Sequence, residues 1–304
     1  MSEPRRRQLL PLGADEGLPF SKGLLARAVM ATGVPAERAY ELALSVEAEL
    51  AATGRAAIDV ERLQDLTVDT FGDEEGERVI RRLRRYAELY ELDLPVIVLV
   101  GGATGTGKST VATEIAYRLG ITRVTSTDFV RQTMRAFFSK QFMPSIHYSS
   151  FEAGRAIAAE GDELGEPVLA GFLEQTRNVL VGAHAAIERA LQEGWSMVLE
   201  GVHLVPGMLP GRIEGALVVQ CVLAIEDRDV HATHFWARDS VSEGVRPFAK
   251  YLDALDDIRL IQDHIVERAQ RAGVPVIENG NMESAIGSVM ELVLAGAERE
   301  KAAR

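Results

Sequence analysis

The sequence predicts an α/β protein: a doubly wound parallel sheet preceded by a small all-helical domain. Three observations point there. From Pro95 onward, short runs rich in β-branched residues alternate with longer helical segments. That texture means βαβ units and a parallel sheet with helices on both faces. Residues 16–94 instead carry Ala, Leu, Glu and Arg at helical spacing. The apolar run Val96–Val100 leads directly into a glycine-rich turn, and a helical pattern follows it.

Taken in order, residues 1–15 are polar, with Pro and Gly, and read as a flexible arm. Helices are expected at 21–32, 35–53, 59–70 and 73–92. Pro35 suits a first helical turn, Gly54 a helix end and Asp59 an N-cap. Strands are expected at 96–101, 123–127, 196–200, 217–224 and 274–277. The tail 291–304 reads as a helix fraying into charge. The expected division is the arm, a helical domain at 16–94 and a second domain at 95–304.

Composition narrows the function. The 304 residues are 47% hydrophobic and 26% charged, the profile of a globular protein. A net charge of −12 argues against a general nucleic-acid binder, which must neutralise phosphates with basic side chains. The single cysteine, Cys221, lies in an apolar run and reads as a buried core residue. No intrachain disulfide is available, and there is no apolar stretch long enough for a signal peptide or a membrane span. The expectation is a cytoplasmic protein acting on small molecules, with neither nucleic acid nor membrane as partner. A homo-oligomer is compatible with the sequence.

The glycine-rich turn reads Gly102-x4-Gly107-Lys108-Ser109 within GGATGTGKST. Gly102, Gly105 and Gly107 let backbone N–H groups curl around a phosphate, and the following helix adds unpaired N–H donors and partial positive charge. Lys108 reaches the β- and γ-phosphates, Ser109 ligates Mg²⁺, and Thr110 completes the turn. This predicts a P-loop NTPase-type sheet that binds ATP with Mg²⁺.

Three further clusters fall at strand ends, where an open α/β sheet builds its site. Ser126-Thr127-Asp128 is followed by Arg131 and Arg135 on one helical face. Asp128 ends a strand, can cap the next helix, and can orient an acceptor hydroxyl or take its proton. Arg131 and Arg135 form a fork for a carboxylate or phosphate, although an N-cap with a solvated basic face fits the same residues. Glu200 ends the strand SMVLE in a Walker B arrangement and is the second Mg²⁺ candidate; His203 follows. Residues 226–246 carry His231, His234, Arg238 and Arg246, and the arginines suit a lid that neutralises the transferring phosphoryl group. His231 and His234 stand three apart, but no further ligand accompanies them for zinc. The stretch PSIHYSSFE, with His147, reads as an acceptor-binding loop, flanked by Lys140 and Arg155. Phe137, Phe138, Phe142, Trp195 and Trp236 are expected to pack.

These motifs together resemble the 2-phosphoglycerate kinases. The resemblance rests on GGATGTGKST, ITRVTSTDFVRQTMR, HYSSFEA, VLEGVHLVP, HATHFWAR and KYLDALDDIRLIQDHIVERAQRAGVPVIEN, and covers 16–290. It implies ATP-dependent phosphorylation of 2-phosphoglycerate to 2,3-bisphosphoglycerate. It also suits a small anionic substrate, with Asp128 at the hydroxyl and Arg131, Arg135, His147 and His203 around the anions. Lys108, Asp128, Arg238 and Arg246 would carry catalysis. The first domain resembles the ATP-cone, a helical module that senses ATP, with Lys22 and Arg27 as phosphate contacts. Its opening strand is cut to Pro19–Lys22, so a structural or oligomerisation role stays open. Two other readings stay open too: a kinase of another phosphorylated hydroxy acid or sugar derivative, and a nucleotide-responsive regulator without acceptor chemistry.

Overall fold

The computed structural model describes residues 20–158, 166–210, 213–242 and 248–303, with the backbone alone at Tyr90, Ala158 and 237–242. The arm at 1–15 therefore lies outside the described residues. The chain divides into two compact units.

The first unit gathers Met1–Leu94, Tyr117–Gly120 and Met290–Arg304. It begins with α1 (Lys22–Met30), α2 (Ala36–Thr53), α3 (Val60–Phe71) and α4 (Asp73–Glu91). Apolar residues at helical spacing, such as Leu25 and Val29 or Leu42 and Val46, are buried, which is what makes these segments pack as helices. Ser21 caps α1 by accepting from the Leu24 N–H, and Asp59 caps α3 by accepting from that of Arg62. Pro35 stands one residue before α2, as its N-cap, rather than in its first turn. The tail joins this unit because Arg85 bridges to Glu291 and Glu298. Likewise the Tyr86 hydroxyl donates to the Arg118 carbonyl, buried, at 2.9 Å. The unit is thus discontinuous in sequence, and the boundary expected at residue 94 holds back segments that these contacts recruit.

The second unit gathers Pro95–Ala116 and Ile121–Val289. Its elements are β1 (Val96–Gly101), α5 (Lys108–Arg118), β2 (Val124–Ser126), α6 (Thr127–Phe137), α7 (Gly154–Ala158) and α8 (Pro167–Gln192). They continue as β3 (Met197–Glu200), β4 (Leu217–Ala224), α9 (Arg228–Ser242), α10 (Phe248–Asp253), α11 (Leu255–Ala272), β5 (Val276–Glu278) and α12 (Met282–Ala302). The last two residues of α5 and the larger part of α12, from Met290 on, fall to the first unit.

The strands form one parallel sheet in the order β2-β3-β1-β4-β5. All six residues of β1 are buried, as a central strand covered on both faces must be. Ile97 and Leu99 pack with Leu180, Ala183 and Ile187 of α8. A second core joins Val222 to Phe235 of α9 and to Ile258, Ile261 and Ile265 of α11. Register then positions the site: Glu200 pairs with Val100 on one side and Ser126 on the other. The ends of β1, β2 and β3 are therefore level, and whatever follows them meets at one edge.

Several aromatic side chains depart from expectation. Phe137, Phe142 and Trp236 are exposed, and Phe138 stacks on Phe142 at 5.7 Å. Phe137 ends α6, Phe138 and Phe142 lie just past it, and Trp236 stands on α9. Trp195 is half-buried under the Arg123 guanidinium, 3.4 Å from its ring centre.

Candidate active site

The turn between β1 and α5 is wound by its glycines. Gly102, Gly105 and Gly107 have φ of 137°, 88° and 79°, values that L side chains rarely adopt. Lys108 opens α5 and is buried, its ammonium donating to the Ala103 carbonyl at 2.5 Å. Burial pushes its pKa down, and the negative charges of Glu200 and Asp128 partly restore it. Ser109 and Thr110 are exposed in the first turn of α5.

Glu200, buried at the end of β3, accepts from the Ser109 hydroxyl at 3.0 Å. The fold thus brings together the hydroxyl and the carboxylate singled out for Mg²⁺. Two hard oxygens beside a phosphate loop suit a cation that keeps several waters and a phosphate in its shell.

Asp128 stands in the first turn of α6, but it does not cap it. Ser126 is the cap, accepting from the Phe129 N–H at 3.0 Å. This leaves the Asp128 carboxylate exposed, and its Oδ1 takes the Arg131 guanidinium at 2.7 and 3.0 Å. Arg131 is buried, and its Nη1 also donates to the Ile146 and Tyr148 carbonyls at 2.9 and 2.8 Å. It braces the 145–148 loop, and the two arginines expected as a fork separate: Arg135 is exposed and bonds Gln132.

His203 corrects a sequence expectation. It is fully enclosed, with Nδ1 bonded to the Thr127 hydroxyl at 2.8 Å and Nε2 to the Gln175 amide oxygen at 2.9 Å. Burial, reinforced by the positive charges of Arg131 and Lys108, pushes its pKa down to about 3. A neutral ring with both nitrogens engaged does not hold a substrate anion. Gln175, which sequence reading did not single out, continues the chain by donating to the Ser145 and Tyr148 carbonyls at 2.6 and 3.1 Å. The 145–148 loop is thereby held from two sides. Thr104 Oγ1 and Ser150 Oγ stand 3.5 Å apart, which sets the PSIHYSSFE stretch beside the phosphate loop. His147 there is half-buried, its Nε2 bonded to the Phe138 carbonyl.

α9 rests directly on the phosphate loop. A Cβ on Gly105 would lie 2.5 Å from the Phe235 ring. Arg238 lies on the described backbone of α9, and Arg246 falls outside the described residues. In the first unit, Lys22 pairs with Glu47 at 3.1 Å, and the Arg27 guanidinium lies against Gly120. Cys221 is fully buried, with its thiol pushed up to about 12. No helix among the described residues is long and apolar enough to cross a membrane.

A parallel sheet, a phosphate loop at the end of its central strand and a carboxylate facing the loop's hydroxyl define a nucleotide-dependent phosphotransferase. A 2-phosphoglycerate kinase of Thermococcus kodakarensis is 37% identical over 273 residues, covering 90% of this chain and 92% of the relative. One of Pyrococcus horikoshii is 34% identical over 287 residues, covering 94% and 93%. One of Methanothermobacter thermautotrophicus is 36% identical over 274 residues, covering 90% and 89%. The chain belongs to the 2-phosphoglycerate kinase family and is an ATP-dependent kinase. No family model matches it. Among solved structures, a gluconokinase from Sinorhizobium meliloti covers 68% of this chain and 93% of its own, at 16% identity and a TM-score of 0.34.

Proposed function

We propose that the protein transfers the γ-phosphoryl group of Mg·ATP to the free hydroxyl of 2-phosphoglycerate, giving 2,3-bisphosphoglycerate and ADP. The names of the relatives support the acceptor. The single observation that carries the chemistry is the 3.0 Å contact between Ser109 and Glu200 at the mouth of the phosphate loop. When bound, Mg²⁺ would be held by Ser109 and, directly or through water, by Glu200. It would offset charge on the β- and γ-phosphates.

The acceptor oxygen attacks the γ-phosphorus, the bond to the β–γ bridging oxygen breaks, and the hydroxyl proton passes to Asp128. Asp128 suits this because it is exposed at the same edge, within the electrostatic reach of Lys108. Lys108 holds the migrating phosphoryl charge, and Arg238 and Arg246 act as the lid cations. Arg135, exposed, and His147, half-buried in the 145–148 stretch, are the polar groups for the acceptor's carboxylate and phosphate. Arg131 acts through the loop it braces. The first unit is an ATP-cone-like module in a structural role, since Glu47 already counters Lys22.

Asp128→Asn tests the acceptor chemistry. Turnover should fall about a hundredfold or more while ATP affinity stays within about threefold, because the carboxamide keeps the shape but takes no proton. Turnover within twofold of wild type would remove Asp128 from the reaction. It would favour the regulator reading if wild-type ADP release also ignored the acceptor.

A further inference from the structure

Three consecutive carbonyls of the phosphate loop are gripped by side chains far away in sequence. His231 Nε2 donates to Thr104 O at 2.8 Å, and His234 Nδ1 to Gly105 O at 3.0 Å. Asn279 Nδ2, just past β5, donates to Thr106 O at 2.9 Å. A carbonyl only accepts, so the facing nitrogen of each ring carries the hydrogen. A trans peptide points its C=O and the following N–H in opposite directions. Fixing the Thr104 and Thr106 carbonyls outward therefore turns the N–H groups of Gly105 and Gly107 to the other side of the loop. The Thr106 N–H still reaches Ala103 O at 3.5 Å. Glycine peptides rotate easily, so a loop built of them needs such restraint to stay ready for an anion.

The grip is built into the core. His231 is fully enclosed and stacks on Phe235, with ring centres 5.3 Å apart, and Phe235 stacks on Tyr251. The remaining polar atoms of His231 and Asn279, Nδ1 and Oδ1, are buried with no hydrogen-bond partner. A buried atom without a partner is costly. Each side chain thus makes one side-chain hydrogen bond, and in each case it goes to the phosphate loop.

We propose that His231, His234 and Asn279 are positioning residues for nucleotide binding, a carbonyl clamp that holds the phosphate loop in its anion-binding conformation. The clamp rests on the reading of that loop as the ATP site. It also couples the lid helix to the loop, because α9 carries both histidines and Arg238.

Calorimetric titration of the full-length protein with Mg·ATP tests it. His234→Ala removes one donor at a partly exposed position, and ATP affinity should weaken about fivefold to tenfold. His234→Asn returns an N–H near the Nδ1 position and should restore affinity to within about twofold. His231→Gln, which keeps a donor near the Nε2 position, should bind ATP better than His231→Leu. Affinity within twofold of wild type in His234→Ala would overturn the clamp, as would a loss that His234→Asn fails to restore. Wild-type protein that bound no ATP would instead overturn the reading of the loop itself.

Discussion

Lys108 is buried, its ammonium against the Ala103 carbonyl and within the field of Glu200 and Asp128, a costly placement for a cation. Lys108→Ala should lower kcat/KM about a hundredfold to a thousandfold, measured as ATP-dependent turnover. Its melting temperature should not fall, because burial disfavours the ammonium that is removed. His203 makes the opposite kind of statement. Its folded pKa of about 3 lies below the unfolded 6.5, so the unfolded chain binds the extra proton between those values. Its contribution to stability is full above pH 6.5 and is lost as pH falls toward 3. A shift of this size corresponds to a few kcal/mol. His203→Gln should therefore flatten the fall in denaturant-measured stability between about pH 6.5 and 4, and an unchanged slope would contradict the buried neutral ring. Lys108 and Ser109 are legible in the sequence because a phosphate loop is local, with all its parts within a few residues. His203, Gln175 and Asn279 are not. Gln175 meets His203 across 28 residues and Asn279 meets Thr106 across 173, and spacing along a chain does not reveal such partners.

Parallel strands with level ends explain why separate motifs meet. Glu200 sits between Val100 and Ser126 in register, so the turns after β1, β2 and β3 share one edge. Runs of β-branched residues made those strands readable, while the outer strands came out shorter than expected: α6 already begins at Thr127, and β5 runs Val276–Glu278. Reading α6 was harder. Ser126 and Asp128 are both good caps, and only the Ser126 bond to Phe129 decides between them. That choice leaves the Asp128 carboxylate exposed and paired with Arg131. The turn after β3 is the tightest point: a Cβ on Gly201, at φ 150°, would lie 1.8 Å from the Thr127 hydroxyl. Gly201→Ala should cost on the order of 3 kcal/mol in chemical denaturation, since it separates Thr127 from His203 and strains the backbone. A loss below about 0.5 kcal/mol would mean the turn tolerates a side chain.

A chain of net charge −12 gathers Lys108 and Arg131 beside the carboxylates of Glu200 and Asp128 at one sheet edge. The local field, not the total, decides which anion enters such an edge. The change of texture at Pro95 led to the expectation of a helical domain followed by a sheet domain. The return of Met290–Arg304 to the first unit was not expected, because it depends on Arg85 meeting Glu291 and Glu298. The central claim is phosphoryl transfer from ATP to 2-phosphoglycerate. Its most direct test is ADP release from Mg·ATP with 2-phosphoglycerate and, separately, 3-phosphoglycerate, with the product weighed by mass spectrometry. The expected result is ADP release that depends on 2-phosphoglycerate and a bisphosphoglycerate in equal amount. ADP release indifferent to 2-phosphoglycerate, or none from protein that binds ATP, would contradict it.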